Sequence, residues 1–102
     1  MAFKNYTKTI AAGATEGTDT QVRAATSTDV IIGLNVANTS ASATSTVAVK
    51  MAGTKLLDNA KIPVGGAIEV IQGKIVLESG DDIDVIPTGA GVEVVMSVLE
   101  NA

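Results

Sequence analysis

The chain reads as all-β: an antiparallel β-sandwich, jelly-roll or Ig-like, of seven to nine short strands in a single domain over residues 1–102. Three observations predict it. Val (13), Thr (12) and Ile (9) are abundant, and β-branched side chains fit a pleated, half-buried surface better than a helix. Several stretches alternate apolar and polar residues with period two. Turn formers recur every eight to twelve residues or so, the spacing of a sandwich or barrel. No amphipathic helix of useful length interrupts the pattern, and no repeat persists at a fixed period.

The elements follow in order. Phe3, Tyr6 and Ile10 are the large apolar residues of a weakly patterned opening, so residues 1–19 read as an N-terminal strand or arm followed by a Gly/Thr/Ala-rich turn. TQVRAA, 20–25, is a short edge strand. DVIIGLNVAN, 29–38, carries the strongest alternation, with Val30, Ile32, Leu34 and Val36 expected on one face and Ile31, Gly33, Asn35 and Ala37 on the other. NTSASATS is a polar loop of small residues. STVAVKMA, 45–52, returns with Val47, Val49 and Met51 pointing in. TKLLDNAKIPV, 54–64, is irregular, one helical turn or a short strand. Pro63 and Gly65-Gly66 make a turn. AIEVI is expected to pair with KIVLE across a hairpin at Gln72-Gly73. Ser79-Gly80-Asp81 turns the chain into DIDVI, 82–86, and GVEVVMSVL, 91–99, is the closing strand. In that strand Val92, Val94, Met96 and Val98 share one face, and Val95 and Leu99 the other.

Composition excludes several function classes. Cysteine is absent, so no disulfide framework holds the chain. The N-terminus has no apolar h-region, so no signal peptide is read, and no apolar run approaches the length of a membrane helix. Net charge is −4. Residues 1–75 hold all seven Lys/Arg and five acids, while 76–102 hold six acids and no base. Without a basic patch, nucleic-acid binding is not expected, since phosphate contacts dominate that affinity. The acidic end reads either as a solvated rim or as a docking patch.

Catalysis is not expected either. His, Cys and Trp are missing, which removes the usual general base, the commonest metal ligand and the thiolate nucleophile. No Ser lies in a G-x-S-x-G elbow. The expectation is therefore a non-enzyme with no cofactor. Asp81, Asp82 and Asp84, with Glu78 nearby, are the candidate calcium ligands, but their spacing departs from an EF-hand loop. The bland alternative is a Gly-Asp turn beside a soluble rim. Phe3 and Tyr6 are candidate interface anchors, because aromatics are enriched in binding hot spots. The alternative is that they plug one end of the sandwich. Val95 and Leu99 join them as interface candidates, since the last strand is apolar on both faces. Sugar binding is disfavoured by the near absence of aromatic rings to stack on.

The segments DVIIGLNVANTSASATSTVAVKM, KIPVGGAIEVIQGKIVLESGDDIDVI and VEVVMSVLE resemble a group of small structural proteins of tailed phages, common among phages of marine and cyanobacterial hosts. In that group an "I-I-x-G-L-x-V-A-N" strand precedes a "V-x-V-K" return. An "I-P-x-G" turn, a "G-K-I-V-L-x-x-G-D-x-I-x-V" stretch and a closing "S-V-L-E" follow. The likeness covers about residues 29–100. It implies a virion structural protein, made in the host cytoplasm, of the head decoration (cement) type that binds and stabilises the capsid lattice. The implied partners are the major capsid protein or another virion protein, and further copies of itself, a trimer ahead of a dimer. The alternative is a tail, neck or fibre accessory module, carbohydrate-binding in one version.

Overall fold

In the computed structural model, which describes residues 2–15, 17, 19–71 and 73–101, nine strands form two antiparallel sheets. They are β1 (Ala2–Ile10), β2 (Gln21–Ala24), β3 (Asp29–Ala37), β4 (Ser45–Met51), β5 (Thr54–Ile62), β6 (Ala67–Glu69), β7 (Ile75–Leu77), β8 (Asp82–Gly89) and β9 (Val92–Glu100). One sheet runs β1-β9-β3, with β6 and β7 on the far side of β3; the other runs β2-β8-β4-β5. We call them sheet A and sheet B. Their inner faces meet in one apolar core. Ile31, Leu34, Val36, Val94, Met96 and Val98 from sheet A pack with Val47, Val49, Ile62, Ile83 and Val85 from sheet B. Fully burying a side chain of this kind contributes about 1.5–3 kcal/mol.

The strand order decides between the two predicted topologies. In an Ig-like sandwich the first two strands pair in one sheet. Here β1 pairs β9, β2 pairs β8, β3 pairs β6 and β7, and β4 pairs β5. These are the rungs of one long hairpin folded over on itself, and the added pairings β9–β3 and β8–β4 close the two sheets. That is a jelly roll. The tip of the hairpin is Ala52-Gly53, both at positive φ (49° and 81°), the backbone of a type I′ turn whose twist suits the flanking strands.

Three local readings need correction. The stretch 54–62 is a nine-residue edge strand, not an irregular segment. Two register shifts against β4, with Asn59 at φ 53°, break its alternation, so no period-two signal survives in the sequence. Second, AIEVI and KIVLE do not pair with each other. β6 pairs with residues 35–37 of β3 and β7 with residues 29–31, so they are successive pieces of one interrupted edge strand. Of the proposed hairpin turn, Gln72 lies outside the described residues. Third, the alternation of β3 changes phase: Ile31, Leu34 and Val36 are buried while Ile32 is exposed. A bulge between Ile31 and Gly33 causes the change. The amide of Leu34 is turned out of the ladder there and donates to Glu69 Oε1 at 2.6 Å. The opening stretch, expected as a strand or arm, is a strand at Ala2–Ile10, in register with β9 over its whole length.

The small-residue loop after β3 is ordered by one side chain. Asn38 is buried and donates from Nδ2 to the carbonyls of Ala43 (2.8 Å) and Ile62 (2.9 Å), while its Oδ1 accepts from the Ser40 amide. A linker-like composition thus becomes a fixed loop, because Asn supplies both donors and an acceptor.

Candidate functional site

Three features of the surface merit a functional reading: a polar clasp, the acidic turn and the outer face of sheet A.

The clasp sits where β1 and β9 of sheet A approach β2 of sheet B. β2 carries a register shift between Gln21 and Arg23, which turns Arg23 toward the space between the sheets. Its guanidinium Nη2 lies 2.8 Å from Glu100 Oε2 and 3.1 Å from Asp29 Oδ2. The guanidinium carbon stands 4.7 Å from the centre of the Tyr6 ring, within cation–π range. The Tyr6 hydroxyl donates to Glu100, and Ser27 Oγ donates to Asp29 Oδ1. Asp29 is fully buried, so Arg23 compensates a carboxylate that water cannot reach. The hydrogen bond to Glu100 holds the Tyr6 hydroxyl above the usual phenol range, and burial adds to it. Tyr6 is therefore occupied within the fold, whereas Phe3, three residues away, is 75% exposed.

The acidic turn does not assemble the three candidate calcium ligands. Asp81 Oδ2 accepts the Glu78 amide at 3.1 Å, closing the turn around Gly80. Asp82 and Asp84 stand on β8, and Asp84 lies in register with Lys50 of β4. Among the described residues no group of three or more His, Cys, Asp or Glu could hold a metal ion. The acidic end of the sequence is also partly neutralised by folding, since Glu100 meets Arg23 and Asp84 lies beside Lys50. Two shallow surface depressions are lined by Thr7, Lys8, Glu93 and Val95, and by Thr9, Ala11, Ser40 and Gly91 among others. Neither has an aromatic wall.

The outer face of sheet A brings Phe3, Val95 and Leu99 onto one surface. Phe3 is opposite Leu99, Leu99 opposite Val30, and Val30 opposite Val76. These four apolar side chains make one cross-strand row spanning the full width of the sheet. Val30 and Val76 were not singled out by sequence reasoning. The bulge in β3 moved Val30 outward, a change that local alternation does not signal. Val76, set between inward-facing Ile75 and Leu77, was legible in principle.

Compared with known proteins, the chain matches no family, no curated protein and no solved structure.

Proposed function

We propose that the protein is a structural component of a tailed-phage virion, a head decoration protein that binds the capsid lattice from outside and stabilises it. One observation supports this reading: the segments that resemble small phage proteins fall in order on β3, β4, β6–β8 and β9 of a jelly roll, an architecture that recurs in viral capsid proteins. A protein of this kind works through contact area and multivalency rather than an active site. Many weak identical contacts on a repeating lattice add up to firm attachment, and no cofactor or catalytic group is needed. The implied partner is the major capsid protein.

Co-sedimentation of the purified protein with undecorated heads of tailed phages from marine or cyanobacterial hosts tests the reading. Saturable binding at a fixed ratio to the capsid subunit is expected. No binding to such heads, together with saturable binding on a glycan array, would move the assignment to a tail or fibre accessory module.

A further inference from the structure

The two outer faces of the sandwich differ in kind. The outward positions of β4, β5 and β8 carry Lys50, Lys55, Lys61 and Asp82, the mixed charge of a sheet that faces water; Asp84, beside Lys50 in register, is buried. The outward positions within the strands of sheet A carry two acids, Glu69 and Glu93, and no base, while Lys8 of β1 lines a depression beside Glu93 and Val95. Glu69 is already engaged with the Leu34 amide. The rest of that face is Thr, Asn, Ser, Gly, Ala and large apolar residues. Phe3 (75% exposed), Val76 (52%), Val95 (44%) and Ile32 (42%) stand on it, around the cross-strand row completed by Leu99 and Val30. Depletion of charge with an aromatic anchor is the composition of an interface core.

We infer that the outer face of sheet A is the surface by which two copies of this chain pair, sheet against sheet. Two arguments favour a second copy as the occupant. The first is charge. Each copy carries −4, so self-association is opposed across any surface rich in acids. Sheet A offers the face on which a copy meets its like with few charges to desolvate or repel. The second is area. Three strands of nine residues and two edge pieces of three, at about 3.4 Å per residue and about 4.8 Å between strands, cover roughly 540 Å² per copy and roughly 1,100 Å² per pair, just above the roughly 1,000 Å² that a specific interface needs. A contact using the same face on both partners is isologous and closes at two. The surface therefore favours a dimer over the trimer that the phage resemblance implies. The inference is independent of the capsid proposal, because pairing needs no head.

Analytical ultracentrifugation at tens of micromolar tests it, on the wild-type chain and on Val76→Glu, Val95→Glu and Lys61→Glu. Circular dichroism identifies any variant that fails to fold, and the two glutamate variants of sheet A back each other up. The expected result is a dimer for the wild type and for Lys61→Glu, with at least a tenfold weaker dimer for either sheet A variant. A wild-type monomer or trimer at those concentrations overturns the inference. So does a dimer that survives both sheet A substitutions.

Discussion

Arg23 ties the two sheets together through one side chain. It is the cation of a buried carboxylate, the ring partner of Tyr6 and the contact of Glu100, joining elements up to 94 residues apart in sequence. Arg23→Ala leaves Asp29 buried beside no positive charge. A loss on the order of 3 kcal/mol is expected in denaturant unfolding at neutral pH, with the slope unchanged; a loss within a few tenths would show that the clasp is ornamental. Tyr6 reports on the same cluster. Its hydroxyl donates to Glu100, so its folded pKa stands above the unfolded value. Stability from that bond is fully present below about pH 10 and is lost as pH rises through the raised folded value. As the chain has a single Tyr and no Trp, phenolate absorbance reads this one group. The native midpoint should exceed that of the denatured chain, and Glu100→Ala should shrink the difference. Nothing in local spacing announces this cluster, because its members come from both ends of the chain.

At the scale of elements, what the sequence revealed depended on whether a strand is regular and flanked. β4 and β9 each lie between two neighbours and alternate cleanly, and both were legible as strands with the right face inward. β5 was not, because an edge strand with two bulges buries too little to enforce alternation. The split between β6 and β7 imitates a hairpin turn locally, and only pairing with β3 reveals that the two pieces continue one strand. β3 was legible as a strand but not in phase, since one bulge residue inverts the face of everything before it. Two predictions belong here. Ala52 holds the left-handed conformation at φ 49° in the I′ turn, which Asn tolerates better than Ala. Ala52→Asn should stabilise by about 0.5–1 kcal/mol, read as a higher melting temperature; an unchanged or lower one contradicts the turn type. Asn38→Ala removes the side-chain bonds to Ala43, Ile62 and Ser40. Leaving those backbone groups without the side chain should cost about 2–3 kcal/mol, with hydrogen exchange rising first in residues 39–44.

At the scale of the whole molecule, the fold turns a chain that is mildly basic at one end and acidic at the other into a sandwich with one charged and one nearly uncharged outer face. The fold class was readable from composition and period alone, whereas the choice of jelly roll over Ig-like topology needed the pairing of strands far apart in sequence. The functional proposal rests on the phage resemblance of the segments on β3 to β9 and on the jelly roll, an architecture found in viral capsid, lectin and cupin domains. The most direct measurement is an electron cryomicroscopy reconstruction of undecorated phage heads incubated with the protein, from which the reconstruction of heads alone is subtracted. The account predicts added density of the size of this sandwich at one repeating class of lattice position on the outer capsid surface. Difference density confined to the tail, or none at saturating protein, would contradict it.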